Sequence, residues 1–276
     1  MSNKRYSNKG VNSAAKAQAN QAAAQESKRQ TLIVCAVAVA VILLAVILAI
    51  VLGGTDATVG GGKETTAGTT PSTAPSTSAP STSTVDMTAV KAEIDSMSVA
   101  DFTETTQTTE YVKVTIKHYG DVVIRLRSDI APITVANFQK LVGEGFYNGL
   151  TFHRIMQGFM IQGGDPKGDG TGGSGTTIKG EFKINGIQND LSHVAGVISM
   201  ARKSMPYDSA TSQFFICNAD ASASLDGKYA GFGYVVAGLD VVLTVSEVEV
   251  KANASGETSV PVEPVVIEKI CFVTKN

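Results

Sequence analysis

The sequence predicts a mainly β domain, a closed barrel or sandwich, reached through a transmembrane helix and a disordered linker. Three observations carry this reading. Residues 32–52 are an unbroken run of Leu, Ile, Val and Ala with one Cys and no charge. The 32 residues that follow contain 24 Gly, Ser, Thr or Pro. From residue 110 onward, 15 basic and 17 acidic residues are mixed. There, short apolar runs alternate with Gly-rich turns, two stretches read as helix, and no βαβ rhythm is present.

In chain order, residues 1–30 are polar and carry six basic residues against Glu26. They cannot bury a core and read as a disordered or weakly helical cytoplasmic tail. Residues 31–53 form the span: 21 apolar residues at 1.5 Å each make about 31 Å of helix, which matches a hydrocarbon core of about 30 Å. The run is longer than a signal-peptide core, and no A-x-A site follows it. Positive charge precedes the helix, so the N-terminus stays cytoplasmic and the remainder lies outside. Residues 54–109 read as a Ser/Thr/Gly/Pro-rich linker, stiffened by Pro71, Pro75 and Pro80. Within it Val90, Ile94, Met97 and Val99 line one short helix.

Residues 110–276 are ample for one core. Tyr111–Ile116 alternates as a strand, a turn at Tyr119-Gly120-Asp121 follows, and 122–126 returns as its partner. Pro132 suits a first helical turn. Val135, Phe138, Leu141 and Val142 then share one helical face, ended by Gly143 or Gly145. Short strands are expected at 151–156, 159–162, 196–200, 213–217 and 232–236. Residues 241–248 are ambiguous, helical in place but β-branched, and 265–273 closes as a strand.

Composition excludes several classes. A net charge of −2 leaves no basic surface for nucleic acid. Without Trp, and with 6% aromatics, stacking platforms for single strands are not expected. Three cysteines give neither a disulfide framework nor a zinc framework. His118, His153 and His193 have no metal spacing, so no metal is expected; His118 and His193 read as ordinary loop residues. Gly163 to Gly175 lacks the Gly-Lys-Ser/Thr ending of a phosphate loop. Cys217 reads as a buried thiol, and a Cys217–Cys271 disulfide is disfavoured. Asn253-Ala254-Ser255 is a glycosylation sequon, meaningful only in a eukaryotic secretory host.

Three stretches are more specific. The first is Phe152-His153-Arg154-Ile155-Met156-Gln157-Gly158-Phe159-Met160-Ile161-Gln162-Gly163-Gly164-Asp165. The second is Ser212-Gln213-Phe214-Phe215-Ile216-Cys217, and the third Leu225-Asp226-Gly227-Lys228 with Phe232-Gly233. Taken alone, Arg154 would be a surface arginine and Phe159, Met160, Phe214 and Phe215 barrel core. Together the set closely resembles the cyclophilin family of peptidyl-prolyl isomerases, from about Tyr111 to Thr274.

The resemblance implies an eight-stranded closed antiparallel barrel with a helix capping each end, and no cofactor. It implies that Arg154 is catalytic, with Phe159 and Gln162 beside it. It also implies substrate contacts from His153, Met160, Met200, Ala201, Gln213, Phe215, Leu225 and Tyr229, while Phe214 stays core. Two positions depart from many members. Ser224 stands where a Trp contacts cyclosporin, which puts drug affinity in doubt, and Tyr229 stands where a pocket His is common.

These residue types suit the chemistry. An X–Pro bond prefers trans by only about 0.5–1 kcal/mol but rotates over a barrier of about 18–20 kcal/mol. The barrier is lost amide resonance. A catalyst therefore holds the ring and donates a hydrogen bond to the prolyl nitrogen as it becomes pyramidal. The expected function is X–Pro isomerisation during folding of secreted or envelope proteins. The expected form is a bacterial, membrane-anchored, single-pass monomer with its catalytic domain extracytoplasmic. Its partners are proline-containing polypeptides that are unfolded or partly folded. The competing readings are a non-catalytic proline-peptide binding module tethered to the membrane, a scaffold only, and a catalytic domain facing the cytoplasm.

Overall fold

The computed structural model describes residues 85–276. The basic tail, the expected span and the linker as far as residue 84 lie outside the described residues. Among the described residues, no helix is long and apolar enough to cross a membrane.

Asp86 opens helix α1 (Met87–Glu93), its carboxylate accepting from Thr88 N and Ala89 N. This satisfies two amides that a helix start leaves without intrahelical partners. Val90 buries against Tyr234, Val236 and Val273, and Ile94, Met97 and Val99 pack on the same cluster. The helix stops at Glu93, and Asp95 then takes a left-handed φ of 52°. So only Val90 of the expected four lies in it. Ser98 and Asp101 form a capping box on the 3-10 turn Val99–Asp101. Strand β1 (Phe102–Thr105) follows. Its pairing with the C-terminal strand makes residues 85–105 part of the folded body, so the expected linker ends well before residue 109.

The hairpin β2 (Tyr111–Ile116) and β3 (Gly120–Leu126) pairs Tyr111 with Arg125 and Ile116 with Gly120. Helix α2 (Pro132–Gly143) comes next. Strands β4 (Arg154–Met156), β5 (Met160–Gly163), β6 (Val197–Met200) and β7 (Phe214–Cys217) carry the middle of the chain. A one-turn helix α3 (Ser222–Leu225), strand β8 (Gly231–Ala237) and helix α4 (Leu239–Ser246) precede a separate hairpin. That hairpin is β9 (Val250–Ala252) and β10 (Thr258–Pro261), and β11 (Ile267–Lys275) ends the chain.

The main sheet runs β1-β11-β2-β3-β8-β6-β7-β5-β4. A closed eight-stranded barrel was expected; the ladder instead has nine strands and two ends, β1 and β4. The chain just before β4 is nevertheless hydrogen-bonded to the start of β11. Phe152 N donates to the Val265 carbonyl at 2.9 Å, and Ile267 N to that of Leu150 at 2.7 Å. Thr151 makes only isolated bridges here, so no ladder forms across the gap. Among the described residues there are four α-helices: the two expected from residue 110 onward, α1 where one short helix was expected around Val90, and α3, whose single turn carries no periodic signal.

Helix α2 buries Val135, Phe138, Leu141 and Val142, the face its spacing predicts. Its N-cap, Ala131, has no side-chain acceptor. Glu181 supplies one from 47 residues away: its carboxylate accepts from Ile133 N at 3.0 Å and from Thr134 N and Oγ1 at 2.8 and 2.7 Å. A negative charge there also suits the helix dipole. Helix α4 begins at Leu239, two residues earlier than expected. Gly238 has φ 82° and passes so close to the Asp121 carbonyl that a Cβ would collide with it. Val242 and Val245 bury completely, and this outweighs their weak helix propensity. Cys217 and Cys271 are both free thiols.

Candidate active site

Strand alternation builds the site. Arg154 lies opposite Gln162, and Gln162 opposite Phe215, across β4, β5 and β7. Directly opposed residues project from the same face of a sheet. Two residues along, Met156, Met160 and Cys217 form a second row on that face. The intervening Ile155, Ile161 and Ile216 are fully buried in the main core on the other face. Choosing the inside for these isoleucines therefore puts an arginine, a glutamine and a phenylalanine side by side outside the core.

The outer face carries an apolar cluster of Met160, Phe215, Cys217, Ala221 and Leu225, with Met156, Phe159, Ala201 and Tyr229 packed around it. The Tyr229 ring meets Phe215 edge-on at 5.8 Å. The Arg154 guanidinium carbon lies 6.0 Å from the Phe159 ring centre. Arg154 Nη1 donates to Gln162 Oε1 at 3.4 Å, and Gln162 Nε2 to Gln213 Oε1 at 2.9 Å. Gln213 Nε2 in turn donates to the carbonyls of Gly170 and Gly172, which ties the Gly-rich loop to the site. An open hollow of about 890 Å³ adjoins, lined in part by Gln162, Ala201, Gln213, Lys167 and Lys203.

Arg154, Phe159, Met160, Gln162, Ala201, Gln213, Phe215, Leu225 and Tyr229 are thus brought together. Met200 is not: it pairs with Phe214, is 2% exposed and packs in the main core. The alternation that turns Met200 inward turns Ser199 outward, opposite Phe215. His153 is buried beside Arg154, and neither ring nitrogen has a partner among the described residues. Phe214 is core, as expected.

Three features went unread in the sequence. His193 lies in a loop, as expected, but is buried there; its Nδ1 lies 2.8 Å from Asp226 Oδ1 and its Nε2 3.0 Å from Ser199 Oγ. Its ring stacks on Phe215 at 6.1 Å. Asp226 sits in the Leu225-Asp226-Gly227 motif, which was the available signal. Arg202 lies 4.6 Å over Tyr229 and also stacks on Phe182 and Tyr207. Third, Glu257 pairs with Arg154: Nε donates to Oε1 at 2.6 Å and Nη2 to Oε2 at 2.8 Å. No local pattern marks Glu257.

Residues 111–271 match the family described as cyclophilin-type peptidyl-prolyl cis-trans isomerase. The chain belongs to the cyclophilin-type peptidyl-prolyl isomerases. Peptidyl-prolyl cis-trans isomerase B of Bacillus subtilis is 46% identical over 125 residues, covering 45% of this chain and 82% of the relative. Peptidyl-prolyl cis-trans isomerase A of Dickeya dadantii is 39% identical over 161 residues, covering 56% and 81%. A Cryptosporidium parvum cyclophilin, crystallised in the presence of the dipeptide Ala-Pro, is 30% identical with a TM-score of 0.51, covering 59% of this chain and 98% of its own. The chain is therefore an enzyme of X–Pro isomerisation, and α1 and β1 of this cyclophilin precede the matched region.

Ionisation in this cyclophilin's site is simple. The Arg154 guanidinium holds the Glu257 carboxyl down to about 2, from an ordinary 4.5. A depressed acid contributes its stability above its unfolded value and loses it as pH falls through the folded one. The Glu257 carboxylate thus stays ionised from pH 5 to 8. Burial pushes His153 and His193 below their ordinary 6.5, against the pull of Asp165 and of Asp226 respectively. The unfolded chain takes up these protons near pH 6.5 and the folded chain resists them. Stability is then full above that pH and falls as the solution is acidified. The thermal unfolding midpoint should drop between pH 7 and pH 5.5; a level midpoint across that window would contradict the assignment.

Proposed function

We propose that this isomerase is a membrane-anchored bacterial form, single-pass and monomeric. Its catalytic domain lies outside the cytoplasm and accelerates X–Pro isomerisation in secreted and envelope proteins. Residues 32–52 and the basic residues before them support the anchor and its orientation. The observation that carries the site assignment is the row Arg154, Gln162, Phe215 standing over an apolar cluster.

In this reading the prolyl ring seats against Phe159, Met160, Phe215 and Leu225, with Tyr229 bracing Phe215. Gln162, oriented through Gln213, takes the backbone on one side of the bond, and Ala201 borders the substrate chain. Arg154 turns Nη1 toward the prolyl nitrogen. That nitrogen gains a lone pair only as the amide twists, so the hydrogen bond strengthens in the transition state. Arginine stays protonated and presents its donors in a rigid fork. The rotation breaks no σ bond. That the Cryptosporidium parvum neighbour was crystallised with Ala-Pro supports a proline-peptide substrate here.

The catalytic assignment is tested by exchange NMR on an X–Pro peptide with the full chain and its Arg154→Ala variant. Binding of the peptide without acceleration would favour the tethered proline-binding module. For orientation, protease added to intact cells should degrade the catalytic domain. Its protection in cells, together with digestion after lysis, would place the domain in the cytoplasm.

A further inference from the structure

We infer that Glu257 is a positioning residue for Arg154, holding the guanidinium so that Nη1 faces the substrate. This rests on the reading of Arg154 given above. Five N–H donors leave the guanidinium fork, and the carboxylate of Glu257 takes one from Nε and one from Nη2, at 2.6 and 2.8 Å. Two parallel bonds of this kind fix a plane as well as a distance. The edge left over is Nη1, which lies 3.4 Å from Gln162 Oε1 and 3.8 Å from Met160 Sδ, on the side of the apolar cluster.

The carboxylate is itself held. Strands β9 and β10 pair with each other, and β10 lies against β4, which carries Arg154. At the hairpin tip Asn253 Oδ1 accepts from Ser255 N, Ser255 Oγ and Glu257 N. Asn253 N donates to the Glu257 carbonyl, and Gly256 supplies the left-handed turn at φ 87°. The tip is therefore a fixed mount for one carboxylate, built from residues more than 90 positions after Arg154.

The pair is too exposed to serve mainly as a stability device. The Arg154 and Glu257 side chains are 30% and 32% exposed, where ion pairs add little to folding. Ordering a long, rotamer-rich arginine before substrate arrives is a different contribution, because misplacing a catalytic donor by about 1 Å lowers rates by up to about a hundredfold. The fork costs Arg154 some positive charge, but it engages Nε and Nη2 and leaves Nη1 to the substrate.

The test compares the full chain, Glu257→Ala, Arg154→Ala and the double variant by exchange NMR, with kcat and KM resolved and folding checked by thermal unfolding. Glu257→Ala should lower kcat about tenfold and change KM less than twofold. In the Arg154→Ala background the same substitution should change kcat/KM less than twofold, since its effect passes through Arg154. Glu257→Gln, which keeps the side chain's size, should show a smaller loss in the same direction. Glu257→Asp keeps the charge but pulls the fork out of reach, so it should lose most of what alanine loses. Full activity in Glu257→Asp would show that charge alone matters and overturn the inference. So would unchanged or raised activity in folded Glu257→Ala, or an equal loss in both backgrounds. If Arg154→Ala itself kept full activity, the assignment of Arg154 would fall first and take this one with it.

Discussion

Replacing Arg154 with alanine should lower kcat/KM for an X–Pro peptide about 10²–10³-fold, the usual effect of removing one preorganised donor to developing charge. Among the described residues, the side chains beside it offer no equivalent donor. Gln162 accepts from Arg154 through Oε1 and already gives Nε2 to Gln213. Met156 and Met160 present only sulfur. KM should move far less, because the prolyl ring is held by Phe159, Met160, Phe215 and Leu225. Arg154→Lys should fall between the two: an ammonium keeps the charge but has no planar fork to lie across Glu257 while reaching the substrate. A folded Arg154→Ala protein within threefold of wild type would remove Arg154 from the mechanism.

Phe138→Ala should cost about 3–5 kcal/mol of folding stability, the range for truncating a buried aromatic. Phe138 is completely buried on α2. Its ring lies 5.1 Å from Tyr147, 5.6 Å from Phe214 and 5.1 Å from Phe232, so the cavity would open between α2, β7 and β8. These neighbours are themselves close-packed rings and cannot collapse into it. For a body of this size the melting temperature should fall by roughly 10 °C. Chemical denaturation would check the figure, and a loss under 1 kcal/mol would mean that the aromatic cluster is not the core's keystone. Phe214, which meets Phe138 edge-on, is followed by Phe215 on the opposite face of β7. Loosening the core at this point should therefore also reach the groove.

Residues whose partners are near in sequence could be read early. The α2 face repeats at helical spacing, and the β2 and β3 hairpin alternates around its turn. Arg154 and Gln162 are eight apart on adjoining strands, so a single hairpin register makes them neighbours. Phe215 was reached through the motif set rather than by spacing. Met200 entered through the family resemblance, and nothing in the sequence showed that its side chain turns into the core, because a fully buried strand offers no polar and apolar alternation. The folded extent of residues 85–105 was underread for a related reason. A four-residue strand at the edge of a sheet and a two-turn helix carry weak periodicity, and what holds them is Lys275, Val273 and Tyr234, far along the chain.

The residues alone specified a mainly β domain and its α2 helix, and a contiguous motif, through its resemblance to the cyclophilins, pointed to the isomerase activity and to most of the side chains gathered near Arg154. Each of these follows from periodicity or from a contiguous motif, and both are properties of neighbouring residues. Folding in three dimensions supplied the rest. Glu181 caps α2 from 47 residues away, His193 and Ser199 back Phe215, Met200 turns inward, and Glu257 clasps Arg154 across 103 positions. A hydrogen bond between distant residues leaves no periodic trace in either segment, because only the path of the intervening chain brings donor and acceptor within 3 Å.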